Sequence, residues 1–139
     1  MPPDSSEVDA ALAAKLLADG ALMAIATDGV FFDEASQGKT KFVIISLVTE
    51  NDEPMFNARA YEDATYLVKY VEQGTSGLNA KAAAARIDAV LDNQPLTVTG
   101  YKLMMMQRVE RVRITEVDEI DNSIRWQHRG GRYQVVVSS

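Results

Sequence analysis

The C-terminal third of the chain constrains the fold most strongly, because it has the pattern of one long β-hairpin. Residues 101–117 are rich in β-branched and long side chains and contain neither proline nor glycine. A second run of similar character covers residues 124–137, and the Asp-Asn-Ser cluster at residues 121–123 between the two runs is typical of a turn. We therefore predict two long, paired strands.

The apolar residues of this hairpin do not keep a single phase. Met104 and Ile114 share one parity, whereas Val109 has the other. A strict alternation would place these residues on opposite faces of the sheet, so we expect a β-bulge near Arg108. The glycine pair at residues 130–131 is expected to interrupt the last strand in the same way.

Two upstream segments have the apolar spacing of an amphipathic helix. The first stripe consists of Val8, Leu12 and Leu16. The second lies in an alanine-rich segment and consists of Ala83, Ile87, Val90 and Leu91. We expect the first helix to end at Gly20, since glycine suits a C-cap, and we expect a further helical turn within residues 21–26.

Three other segments have the composition of strands, at residues 30–32, 42–48 and 61–72. Residues 49–60 are polar and contain Pro54, so an exposed loop is expected there. The prediction is an α+β fold, with a mainly antiparallel β-sheet, two α-helices packed on one face and a long C-terminal β-hairpin. It covers residues 1–139 as a single domain, with a flexible N-terminus at residues 1–6.

The composition excludes several classes of protein. The chain has a net charge of -6, which argues against a typical nucleic-acid-binding domain. The charge is uneven, because residues 1–99 carry seven basic and fifteen acidic side chains and residues 100–139 carry seven and five. Without cysteine the chain can form neither disulfides nor thiolate metal sites. No apolar run approaches the ~20 residues that cross a bilayer, and the acidic start does not resemble a signal peptide, so no membrane partner is expected.

The sequence contains no pattern of catalytic residues. His128 is the only histidine, and a structural or solvent-facing role is expected for it. The glycines of residues 74–81 have the wrong spacing for a phosphate-binding loop. Two acidic clusters lack the spacing of a calcium loop or the apolar surroundings of an acid-base pair. They are Glu50, Asp52 and Glu53, and Asp118, Glu119 and Asp121. We predict no catalytic residue, no cofactor and no metal site.

The hairpin instead offers candidates for protein contacts. At least one of three consecutive methionines must point away from a one-sided core, and an exposed methionine adapts readily to a partner. The arginines of both strands are candidates for a cationic stripe that contacts a partner or a phosphate backbone, although the interleaved Glu110, Glu116 and Asp118 favour cross-strand pairing over such a contact. These arginines are Arg108, Arg111, Arg113, Arg125, Arg129 and Arg132. The candidate assembly contacts are Met104, Met105, Met106, Arg108, Arg111 and Arg113.

The order of these segments resembles the tail terminator (tail completion) proteins of long-tailed bacteriophages. The resemblance runs from Val8 to Val137 through VDAALAAKLLAD, GVFFDEA, KFVIISL, YEDATYLVKYVE, ARIDAVLDNQPLTVTG and RWQHRGGRYQVVV. Its most specific parts are residues 87–100 and 126–137. Relatives often have a proline before the central strand, where this chain has Lys41.

The resemblance implies a structural virion protein that acts at the head-tail interface after assembly in the host cytoplasm. Such a protein forms a homohexameric ring on the tail tube protein, ends tube polymerisation and offers a docking surface to the head-neck connector or stopper protein. DNA passes through the ring without sequence-specific binding. Two alternatives remain open at this point: a neck connector between portal and tail, and a small enzyme or ligand-binding domain with a pocket formed by residues 33–41 and 49–60.

Overall fold

The five strands form one sheet, in which the order across the sheet is first, second, third, fifth and fourth strand of the chain. The first two strands are parallel, and the other neighbours are antiparallel. This computed structural model describes residues 5–55, 58–118, 120–121 and 123–138, and their side chains except those of residues 5–6, 50–55 and 58–62. The elements are α1 (Ser5–Leu17), α2 (Gly20–Ile25), β1 (Val30–Phe32), β2 (Lys41–Met55), β3 (Ala58–Gln73), α3 (Leu78–Leu91), β4 (Lys102–Val117) and β5 (Arg125–Ser138).

The helices cover one side of this sheet, which we call the helix face. The stripe Val8, Leu12 and Leu16 of α1 is buried there, and so are Ala83 and Ile87 of α3. The small side chains of Ala80 and Ala83 let the first half of α3 approach the sheet closely, while Ile87 and Leu91 fill the space beneath its second half. The predicted α+β class, with a mainly antiparallel sheet and a long C-terminal hairpin, is confirmed.

The start of α2 differs from the sequence prediction. Gly20 does not cap the end of α1 but is the first residue of α2, the short helix that corresponds to the helical turn expected within residues 21–26. Asp19 is its N-cap, and its carboxylate accepts a hydrogen bond of 3.0 Å from the backbone N–H of Leu22. A capping aspartate thus starts a new helix where a glycine was expected to end the previous one.

The prediction of an exposed loop at residues 49–60 was also wrong. β2 continues to Met55 and β3 begins at Ala58, so these residues extend a long antiparallel hairpin. Pro54 is tolerated because the register shifts between Glu53 and Pro54, which removes the need for a regular ladder hydrogen bond. Residues 56–57 lie outside the described residues, as do residues 1–4 of the expected flexible N-terminus.

The glycine pair of the last strand does not interrupt it, contrary to expectation. β5 runs unbroken and pairs Gly130 with Lys69 and Gly131 with Val68 on β3. A Cβ atom at Gly130 would collide with the carbonyl oxygen of Val68, so glycine is required there by the close approach of the two strands.

The opposite side of the sheet, the open face, carries only a small apolar cluster. Phe42 lies between Phe31 and Trp126, with ring centroids 6.0 and 6.3 Å apart, and the Phe31–Phe42 pair is edge-to-face. Val71 and Ile44 are buried beside them. In the part of the chain that is described, no helix is long and apolar enough to span a membrane.

Candidate assembly surface

β4 forms one edge of the sheet and exposes apolar side chains along it. Among the described strands only β5 pairs with it, and on the other edge the Met106 carbonyl accepts from the Asn93 backbone N–H and the Arg108 N–H donates to Asp92, so the edge is open chiefly beyond Arg108. Four of its apolar side chains are about half exposed. They are Met104, Val109, Ile114 and Val117. A long, open, partly apolar edge is a natural site for pairing with another chain.

The bulge predicted near Arg108 is present and controls the direction of the arginines. The register shifts between Arg108 and Glu110, and Val109 is the extra residue. Arg108 is therefore opposite Tyr133, while Arg111 and Arg113 are opposite Gly131 and Arg129. These three partners on β5 share the parity of the helix face, so the bulge brings all three arginines to the same side of the sheet.

A groove runs between α3 and the β4–β5 hairpin on this helix face. It consists of two adjoining cavities of about 340 and 440 Å³ that share Arg113 and Arg129. We call it the arginine groove, and its cationic side chains are Lys81, Arg108, Arg111, Arg113, Arg125 and Arg129. Asp88 is the one carboxylate among the lining residues. Six of the chain's fourteen basic residues thus line one groove in a protein of net charge -6.

Arg108 is the arginine of this set that has a clear structural role. Its Nη1 atom lies 2.6 Å from Asp88 Oδ2, and the Tyr133 hydroxyl donates to Asp88 Oδ1 at 3.0 Å. The backbone N–H of Arg108 also donates to Asp92 Oδ1 at 2.9 Å. Burial, with the nearby Asp88 carboxylate, raises the pKa of Tyr133, which keeps this hydroxyl protonated as a donor.

Three other arginines of the groove, Arg111, Arg113 and Arg129, form no ion pair with the described residues. Arg111 and Arg113 are exposed and Arg129 is half-buried. Among the described residues, no carboxylate lies within 4.0 Å of the guanidinium groups of Arg111, Arg113 or Arg129. Cationic groups concentrated in this way lack internal counter-charge, which favours an anionic group from outside the subunit.

The three methionines have three different environments. Met104, at an irregularity in the β4–β5 register, is 56% exposed. Met105 is half-buried opposite Val136, and Met106 is buried in the core against the helices. Of the predicted contact residues, Met104, Arg111 and Arg113 are therefore accessible, whereas Met106 and Arg108 also serve the fold.

The remaining polar residues show no catalytic arrangement. His128 is largely buried on β5 with Nε2 3.4 Å from Glu116 Oε1, and burial lowers the pKa of its imidazole, which is therefore neutral at pH 7. In the described ranges no three metal-ligating side chains cluster. Neither cavity of the groove is lined by residues 33–41, and residues 49–55 belong to β2.

The family of the chain follows from comparison with known proteins. The family model for "Tail completion protein gp17" matches residues 10–138. The chain belongs to this tail completion protein family. The resemblance identified from the order of its segments is thereby confirmed, and the chain is a structural protein of a phage-like virion rather than an enzyme.

The fold of this tail completion protein also occurs in a solved assembly. A chain from the structure titled "Virion of native gene transfer agent (GTA) particle" superposes with a TM-score of 0.68 at 20% sequence identity, covering 95% of each chain. No curated protein sequence matches the chain.

The groove of this tail completion protein was only partly predictable. The arginines of β4 and β5, including Arg129, were recognised as candidates for one cationic stripe, but Lys81 and Asp88 of α3 were not assigned to it. Their grouping depends on how α3 crosses the hairpin. The available signal was the concentration of basic residues after residue 100.

Proposed function

We propose that this tail completion protein forms a six-membered ring that caps the head-proximal end of the tail tube. The ring stops tube polymerisation and offers its other surface to the head-neck connector, and DNA passes through its centre. Its place is the head-tail interface of the virion. The proposed partners are other copies of the chain, the tail tube protein and the connector or stopper protein.

The observation that carries this proposal is the long open edge of β4 in a member of a tail completion family. An edge that is open beyond Arg108 and carries half-exposed Val109 and Ile114 would be an aggregation hazard in a protein that acted alone. In a ring each edge is covered by a neighbour. A net charge of -6 is also consistent with a channel that lets DNA pass, since few phosphate contacts mean weak retention.

Capping can be tested with tail tubes polymerised from purified tube protein. Addition of the wild-type chain before polymerisation is complete should shorten the tubes, and a ring should be visible at one end in negative stain. Met104→Glu should weaken this effect, because a charge at the covered edge would have to be desolvated.

The matched control for this experiment is Leu17→Glu at the end of α1. Leu17 is 51% exposed, comparable to Met104, so both variants replace an exposed apolar side chain with a carboxylate. Leu17→Glu should cap as the wild type does. Tubes whose length and ends are unaffected by the wild-type chain would contradict the proposal.

A further inference from the structure

The sheet has a second open edge, on the far side from β4. β1 pairs with β2 only at Val43, Ile44 and Ile45. Among the described strands nothing pairs with the outer edge of β2 beyond Ile45, although β2 continues to Met55. Leu47 and Val48, at the start of this open segment, are each 40% exposed. We call residues 46–55 the outer β2 segment.

The outer β2 segment and β4 carry opposite charges. Three acidic residues and no basic residue fall within residues 46–55: Glu50, Asp52 and Glu53. β4 contains four basic and two acidic residues, and the arginine groove beside it has five more cationic than acidic side chains. Glu50 and Asp52 are two residues apart, as are Arg111 and Arg113, so the spacing of the charges along the two strands matches.

We infer that the outer β2 segment of a second copy of the chain docks along β4, which brings a strand of acidic sequence beside the arginines of β4. The inference rests on the proposed ring and supplies its subunit contact. It gives the exposed Leu47 and Val48 a place beside the apolar side chains of β4, and it gives Arg111 and Arg113 the counter-charge that the described part of their own subunit does not provide.

The strand directions permit this contact in a closed ring. Successive antiparallel pairings from β2 through β3 and β5 to β4 leave β2 and β4 running in opposite directions. Copies that keep the same strand orientation around a ring axis therefore meet as an antiparallel pair. The contact is head-to-tail, since each copy offers β4 on one side and β2 on the other, and such contacts can close into rings.

The alternative occupant of the groove is the phosphate backbone of DNA. Exposed apolar residues flank the cationic groups on β4, and these favour a protein strand over a phosphodiester chain. Backbone pairing at an open edge is likewise available only to another polypeptide. The alternative predicts that substitution of the groove arginines reduces salt-dependent DNA binding and leaves self-association unchanged.

A charge-swap experiment tests the inference. Arg111→Glu with Arg113→Glu, and separately Glu50→Arg with Asp52→Arg, should each weaken self-association by about tenfold or more, because like charges then face each other. The four substitutions together should restore self-association to near the wild-type level. Sedimentation velocity and native mass spectrometry over a range of concentrations measure this, and thermal melts check that each variant folds.

The control is Lys15→Glu with Lys39→Glu, which changes the net charge as much as the arginine reversal but lies outside β4 and the outer β2 segment. This control should associate as the wild type does. Variants that associate no differently from the control, or a quadruple variant that fails to recover although it folds, would overturn the inference.

Tube capping by the same proteins separates this inference from the proposed function. If the wild type caps tubes and the charge-swap series matches the control in both capping and association, the function stands and the β2–β4 contact does not. If the wild type remains monomeric in solution, the charge-swap variants are compared by tube capping alone. Equal capping by all variants again contradicts the β2–β4 contact. A wild type that neither caps nor self-associates rejects both.

Discussion

Arg86 of α3 binds Asp19, the N-cap of α2, through two hydrogen bonds. Arg86 Nη2 lies 2.7 Å from Asp19 Oδ1, and Nε lies 3.1 Å from Oδ2. The same Oδ2 atom accepts the backbone N–H of Leu22. One carboxylate thus begins α2 and connects it to α3, which locks together two helices of the helix face.

Two substitutions of Asp19 should separate its role as the N-cap of α2 from its ion pair with Arg86. Asp19→Ala loses both the cap and the ion pair, and we expect the loss of the cap to lower the free energy of unfolding by about 1 kcal/mol. Asp19→Asn should lose less, because asparagine is also a good N-cap. Urea denaturation measures both. Glu34→Ala, at an exposed position, is the control, and equal losses for the alanine and asparagine variants would contradict the capping role.

The same carboxylate should contribute to acid stability. The hydrogen bond from Arg86 holds the pKa of Asp19 below its usual value, so the folded state favours the ionised form. The difference in free energy of unfolding between the wild type and Asp19→Asn should therefore have its largest value at neutral pH. It should start to fall near the ordinary aspartate pKa of about 3.9 and vanish below the lower folded pKa. Urea midpoints from pH 7 to pH 2 check this, and a difference independent of pH would contradict it.

Arg108 should act as a structural residue through Asp88. A double-mutant cycle with Arg108→Met and Asp88→Asn should give a coupling energy of about 1 kcal/mol, since the pair is 2.6 Å apart and both side chains are largely buried. The matched control is the pair of Arg132 and Glu110, which is 3.8 Å apart and more exposed, with an expected coupling below about 0.5 kcal/mol. Equal couplings for the two pairs would show that Arg108 is not tied to α3.

Gly130 should tolerate no side chain. Gly130→Ala forces a Cβ atom against the Val68 carbonyl, and we expect a loss of about 1–3 kcal/mol as the strands separate. Gly20→Ala is the control, because nothing lies within 4 Å of a Cβ there and α2 is helical, so stability should change by less than about 1 kcal/mol. Thermal denaturation of the two variants provides the comparison.

The helices and strands whose buried apolar residues recur at regular spacing were predicted well from the sequence. Val8, Leu12 and Leu16 predicted α1 because they face a single core, and the composition of residues 61–72 predicted β3, in which Tyr66, Val68 and Tyr70 are buried. The end of the β2–β3 hairpin was missed because its polar composition and Pro54 resemble a loop. What makes it a strand is pairing across the hairpin, and a local pattern does not contain that information.

The candidate site shows a similar division. The bulge near Arg108 was inferred from the broken apolar phase, and it is what places Arg111 and Arg113 on the same face as Arg108. The contribution of α3 was not predictable, because it depends on the angle at which the helix packs on the sheet. Gly130 was read as an interruption of β5, whereas the structure uses its missing side chain for close strand packing.

The charges of β4 also have a consequence for subunits that have not yet assembled. Two newly made copies could pair β4 with β4 around a two-fold axis and so bury their open edges in a closed dimer. That arrangement would bring Arg111 and Arg113 of one copy close to the same residues of the other, and like charges at close range oppose it. In the assembly that we propose, the cationic edge would therefore oppose a dead-end dimer and leave the free subunits available for head-to-tail contacts.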